Sequence, residues 1–146
     1  MKLFNTTLDW LLAVVVATVG ACWTHSWRVQ AGLKAVGAEI PPSLAYKTMM
    51  QDAFGMGPAV AAVFGLGLAL AFLIAALLRR RWPMVPPSFA YALAGGAAVA
   101  TALSLMKTAM AITPLAGARE PIGFAMMVMS GVIAGLVFAY FQPRRA

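Results

Sequence analysis

Four apolar runs, each long enough to form a helix across a bilayer, make up most of this chain of 146 residues. A helix needs about 20 residues to cross the hydrocarbon core. Charged residues lie almost entirely between or beside the runs, which are too apolar and too long for the half-exposed helices of a soluble domain. We predict four membrane spans, over residues of about 8–27, 58–78, 88–112 and 122–141.

The composition agrees with a membrane location. Hydrophobic residues make up 62% of the chain and charged residues 10%, and the mean hydropathy is +0.85. We therefore predict an all-α integral membrane bundle in a single domain, with an outer amphipathic segment over about 28–57. The net charge of +7 lies largely in residues that flank the spans. Because this distribution suits lipid headgroups, we expect contact with the lipid bilayer and none with nucleic acid.

Lysine and arginine predict the orientation of the bundle. Lys2, the run Arg79 to Arg81 and the pair Arg144 and Arg145 all fall on one side, and fewer basic residues fall on the other. The positive-inside rule then places both termini in the cytoplasm. The first span is predicted to be a retained anchor, because Trp23 and Trp27 stand where a signal peptide needs small residues for cleavage.

The longest segment outside the membrane follows the first span. Its first part is predicted to continue that helix until Pro41 and Pro42 stop it. Ser43 is a candidate N-cap for a short amphipathic helix that lies on the outer membrane face. We expect this helix to end at the sequence "GMGP", residues 55–58, before the second span begins.

Small residues predict where helices approach closely in the bilayer. Gly95 and Gly96 lie in the third span, and Gly131 and Gly135 have GxxxG spacing in the fourth. Such a pattern supports contact within the bundle or between two copies of the chain. Contact within the bundle is favoured, because four spans must bury several helix faces before any face is left over.

Lys107 is a charged residue within the third predicted span, where charge is costly and often functional. It lies roughly 9 Å below the outer end of its helix, so its ammonium group can extend to the interface as an anchor. The alternative is an ion pair or substrate contact that it forms with an outer carboxylate, either Asp52 or Glu120.

A metal site is a weaker hypothesis. Cys22 and His25 are three residues apart and share one helix face, and thiolate, imidazole and nearby methionine thioethers suit Cu(I). Methionines in an apolar chain mostly fill space, however, and a single histidine cannot form a bis-histidine haem site within one chain. We expect no cofactor, with copper at Cys22 and His25 as the alternative.

The residues offer little for catalysis or transport. The four acidic residues show no HExxH or paired-carboxylate spacing, so we expect that the protein is not an enzyme. The alternative is an active site on the outer face that uses His25, Asp52 or Glu120. We expect an accessory or scaffolding subunit that docks a larger membrane partner or another copy of itself. The alternatives are a carrier of a small solute, ion or lipid that uses Lys107, and an outer-face copper-binding protein.

The tryptophan-flanked first span and the segments "QDAFGMGP", "ALAGGAAV" and "ITPLAGAR" resemble small uncharacterised inner-membrane proteins of Gram-negative bacteria. The resemblance implies a four-span fold and a location in the bacterial inner membrane. It implies no activity, cofactor or site residue.

Overall fold

A computed structural model describes residues 2–110 and 115–142. The elements are α1 (Lys2–Ala35), α2 (Pro42–Arg81), α3 (Pro87–Met110), a one-turn 3-10 helix (Ala116–Arg119) and α4 (Pro121–Phe141). The four α-helices are each long and apolar enough to cross a membrane, and no strand occurs in the described part of the chain. The predicted all-α, four-helix membrane bundle is therefore confirmed, and the chain is a multi-pass integral membrane protein.

The helices form a ring in which α1 packs against α2 and α4, and α3 packs against the same two helices. Alanines at 13, 17 and 21 line the inner face of α1 and are almost fully buried, as are Phe64 and Leu68 on α2. Small residues on one helix make room for large ones on the next, which gives close packing without a hydrophobic driving force between helices in lipid. Large aliphatic side chains cover the outward faces, where lipid surrounds them.

The four glycines predicted to pack helices all lie where α3 meets α4. A Cβ built on Gly131 would lie 2.5 Å from the carbonyl oxygen of Gly95, and one on Gly95 would collide with the carbonyl of Gly131. At Gly135 it would collide with the Tyr91 carbonyl, and at Gly96 it would lie 2.8 Å from Cγ2 of Val132. The GxxxG contact therefore joins two helices of the same chain.

The predicted helix end at "GMGP" is wrong, because α2 runs without a break through Gly55, Gly57 and Pro58 to Arg81. Pro58 lacks an N–H and so leaves the carbonyl of Phe54 without its usual helical partner. Phe54 is highly exposed, so this turn lies on the surface of the bundle. The amphipathic segment is thus the first part of a long helix instead of a separate surface helix.

The turn between α1 and α2 also differs from the prediction. The first helix ends at Ala35, and Gly37 takes a φ of +89°, which favours glycine because a Cβ is strained there. The stop therefore comes before Pro41 and Pro42. The N-cap of α2 is Pro41 instead of the predicted Ser43, since Pro42 occupies the first helical turn, where a missing N–H costs nothing.

The helix lengths define the two ends of the bundle. The 40 residues of α2 make a helix of about 60 Å, about twice the hydrocarbon thickness, whereas α3 and α4 have 24 and 21 residues. The ends of α1 and α2 around their connecting turn therefore extend past the other helices, and we call residues 29–50 the projecting hairpin. The bundle end that carries it is the hairpin end, and the other is the termini end.

Two other helix ends fall within a residue of predicted span ends. Helix α3 begins at Pro87 and α4 ends at Phe141. The predicted end of the third span, near residue 112, lies outside the described residues, as do Arg144 and Arg145, which contribute to the predicted orientation.

Candidate functional site

Polar side chains gather at the hairpin end of α1. Cys22, His25 and Ser26 lie on one face of this helix, at spacings of three and four, and are 3%, 8% and 1% exposed. They therefore face neighbouring elements and not lipid. A polar group buried within a membrane bundle needs a hydrogen-bond partner, and the structure supplies one for both Ser26 and His25.

Ser26 joins α1 to α2. Its Oγ donates a hydrogen bond to Oδ2 of Asp52 over 2.6 Å, the short distance expected when the acceptor is a carboxylate. The charge of Asp52 also acts on the nearby Cys22 and His25. Asp52 therefore has its partner within the chain, at the base of the projecting hairpin.

His25 holds the 3-10 turn against α1. The backbone N–H of Gly117 donates to Nδ1 of His25 over 3.3 Å, so Nε2 carries the proton of the neutral ring. A Cβ on Gly117 would lie 2.9 Å from Cα of His25 and 3.0 Å from Cε of the fully buried Met127. The glycine therefore permits an approach that a larger residue would prevent.

Glu120 forms a salt bridge with Arg28 of α1, and its side chain is 63% exposed. The guanidinium of Arg28 also lies 5.8 Å from the ring centre of Trp27. Lys107 is exposed near the end of α3, and within residues 2–110 and 115–142 it forms no salt bridge with Asp52 or Glu120. Asp52 of α2 and Glu120, which precedes α4, therefore each have a partner on α1, Ser26 and Arg28. The anchor role of Lys107 stays a prediction.

The polar residues are not arranged as a hydrolytic triad. Ser26 donates directly to a carboxylate, and the Nδ1 of His25 accepts from a backbone N–H instead of from an acid. Cys22 and His25 do share a helix face. No group of three or more His, Cys, Asp or Glu side chains in the described part of the chain is positioned to hold a metal ion, and the copper hypothesis, which draws on methionine ligands, stays a prediction.

An exposed apolar stripe runs along α2, from the projecting hairpin to Phe54 just below it. Tyr46, Met50 and Phe54 are spaced by four residues along α2 and are 61%, 38% and 81% exposed. The sequence pattern predicts an amphipathic helix here, lying on the membrane surface. It does not predict that the stripe rises from the bundle along a helix that is continuous with a span.

A groove of about 800 Å³ lies between α2 and α3, and sequence reasoning missed it. Apolar residues between Val63 and Leu78 form one wall, and residues between Phe89 and Ala109 form the other. At Gly67, a Cβ would lie 3.7 Å from the nearest α3 atom, so these two helices are farther apart than α3 and α4 are at their glycines.

Arg79 lies at the termini end of this groove, beside Trp82. Its guanidinium is 5.7 Å from the ring centre of Tyr91, which packs edge-on against Phe72 and Phe138. Its Nε is buried and has no hydrogen-bond partner among the described residues. By sequence, Arg79 is one of three adjacent arginines. In the structure it follows the buried Phe72 and Ala75 at helical spacing, and this burial is not visible in a run that is apolar throughout.

Comparisons with models of protein families, with curated protein sequences and with solved structures find no match for this chain.

Proposed function

We propose that this protein is a non-catalytic accessory or scaffolding subunit of a bacterial inner membrane, and that its projecting hairpin docks a larger membrane partner. With both termini in the cytoplasm, as the basic residues favour, the hairpin faces the periplasm. The observation that carries the proposal is the exposed stripe of Tyr46, Met50 and Phe54.

The hairpin is held at its base by two contacts between its arms. Ser26 donates to Asp52, and Nε2 of Gln30 donates to the carbonyl of Ala45 over 3.0 Å. These bonds fix the register of α1 against α2 where the hairpin begins. The stripe is therefore presented on an ordered support, which reduces the entropy lost when a partner binds.

The geometry of α2 favours a protein partner over the membrane surface. A helix that lies on the bilayer must turn away from a membrane span, whereas α2 is one continuous helix through Pro58 into its span. Tyr46 lies about 9 Å along the helix beyond Asp52, away from the bundle. Apolar side chains spaced by four residues on such a helix are typical anchors for a hydrophobic groove in another protein.

The carrier alternative requires Lys107 beside an outer carboxylate, and Asp52 and Glu120 instead contact α1. We therefore propose no second function.

Native mass spectrometry of the protein, extracted from its own membrane in a mild detergent, tests the proposal. The test variant replaces Tyr46, Met50 and Phe54 with serine. The control replaces Lys47 and Gln51, which are exposed on the same segment outside the stripe, with serine. We expect a second polypeptide at fixed stoichiometry with the wild type and the control, and its loss from the test variant. A lone wild-type chain, or a partner that the test variant retains fully, would contradict the proposal.

A further inference from the structure

The groove between α2 and α3 combines an apolar channel with a cationic end. We propose that it binds one anionic phospholipid, with the phosphate at Arg79 and an acyl chain along the groove. This inference concerns the opposite end of the bundle from the hairpin and does not depend on the proposed docking role.

The shape of the groove fits an acyl chain. From Arg79 to Val63 it follows α2 for about 24 Å, which exceeds the half-thickness of about 15 Å that one leaflet occupies. The α3 wall is formed largely by alanines, among them Ala90, Ala94 and Ala97. Small residues on the α3 wall leave a continuous channel. Aliphatic side chains of α2, such as Leu70, line the other wall and can contact an acyl chain.

The charge at the termini end calls for an anion. Arg79 lines the groove, and within the described residues its guanidinium forms no salt bridge. A phosphate in the groove can accept charge-assisted hydrogen bonds from the terminal nitrogens of this guanidinium. Trp82, which is 61% exposed, lies at the same end, as tryptophans do at the headgroup level.

Side-chain carboxylates of a second copy in the same membrane orientation do not provide that anion. The four acidic residues of the sequence are Asp9, Glu39, Asp52 and Glu120. Asp9 is buried, and the other three lie in the hairpin or at the hairpin end. An apolar helix from another protein would fill the groove but leave the guanidinium of Arg79 without an anion. A phospholipid supplies both the chain and the charge.

Lipid binding to the purified protein in mild detergent tests the proposal. Phosphatidylglycerol and phosphatidylcholine with identical acyl chains are titrated separately, and the bound fraction is read by native mass spectrometry. We expect one phosphatidylglycerol to bind in preference to phosphatidylcholine. Glycerol 3-phosphate, which has the phosphate without the chains, should not displace it, because the groove contributes most of the contact.

Two pairs of variants locate the site. Arg79→Gln should weaken phosphatidylglycerol binding about tenfold, because a charge-assisted hydrogen bond is lost. Arg80→Gln makes the same charge change on an exposed side chain outside the groove and should leave the binding unchanged. Ala97→Phe should block the channel while it keeps Arg79. Ala69→Phe, on an exposed part of α2 outside the groove, should bind as the wild type does.

Three results would overturn the proposal. These are equal binding of the two lipids, equal losses in Arg79→Gln and Arg80→Gln, and wild-type binding by Ala97→Phe. If Arg79→Gln does not fold, the Ala97 and Ala69 pair still decides the question, because neither substitution changes a charge.

Discussion

Replacing Gly131 with alanine puts a methyl group 2.5 Å from the Gly95 carbonyl oxygen and 2.6 Å from Cγ2 of Val99. Ordinary contacts between heavy atoms are about 3.5–4.0 Å, so α3 and α4 must separate by about 1 Å. Overpacking of this kind costs about 1–3 kcal/mol, and a rigid backbone neighbour favours the upper limit. Alanine recovers about 1 kcal/mol through its helix propensity. We expect a net loss of about 2 kcal/mol in the free energy of unfolding.

Gly67→Ala is the matched control, because its new Cβ would lie 3.7 Å from the carbonyl oxygen of Ala98, an ordinary contact. It should gain up to about 1 kcal/mol from helix propensity. Reversible unfolding by sodium dodecyl sulfate in mixed micelles, followed by circular dichroism, measures both variants. Equal stability changes would refute the packing argument. Because the contact lies within one chain, the loss from Gly131→Ala should not depend on protein concentration; a concentration-dependent loss would instead indicate contact between copies.

Three further predictions use the same unfolding assay. Gly37→Ala should lower the free energy of unfolding by about 1 kcal/mol, because a Cβ is strained at its φ of +89°. Gly32→Ala, inside α1 with no atom within 4 Å of its new Cβ, should not destabilise the protein. Equal effects of the two substitutions would contradict the argument from the turn. Phe138→Ala should lower the free energy of unfolding by about 3 kcal/mol, because it removes a buried ring that stacks on Phe72. Leu136→Ala, at an exposed position, should lower it by less than about 1 kcal/mol. A loss below about 1 kcal/mol for Phe138→Ala would refute the assignment of Phe138 to the core. Glu120→Gln should change stability by less than about 1 kcal/mol, because solvent screens its exposed salt bridge; a larger loss would show that the bridge is shielded from water.

The helix number and the fold class follow from the sequence alone. Four runs of apolar residues cannot be solvated as exposed chain, and within lipid the backbone hydrogen bonds of each run are satisfied only if it is helical. Local composition therefore decides this level, without knowledge of which helix touches which. The GxxxG spacing at Gly131 and Gly135 likewise predicts a close helix contact.

The partners of these residues depend on tertiary structure. The GxxxG face meets Gly95 of the same chain because α4 packs against α3, and no local pattern specifies that neighbour. Asp52 lies beside Ser26 and not Lys107, since the register of α2 against α1 sets its neighbours. Lys107 lies on a different helix, and its sequence context holds no information about that register.

Continuity along α2 shows the same division. Gly55, Gly57 and Pro58 locally favour a break, and the sequence alone indicates one. The structure keeps the helix: the turn before Pro58 lies at the surface, and Val60 and Phe64, which follow it, pack in the core. Arg79 is one of three adjacent arginines by sequence, and only its position beside α3 distinguishes it. Local sequence therefore decides which segments are helices in lipid. The packing of those helices decides which polar groups are paired, which remain exposed and where the groove opens. These features depend on contacts between residues far apart in the chain.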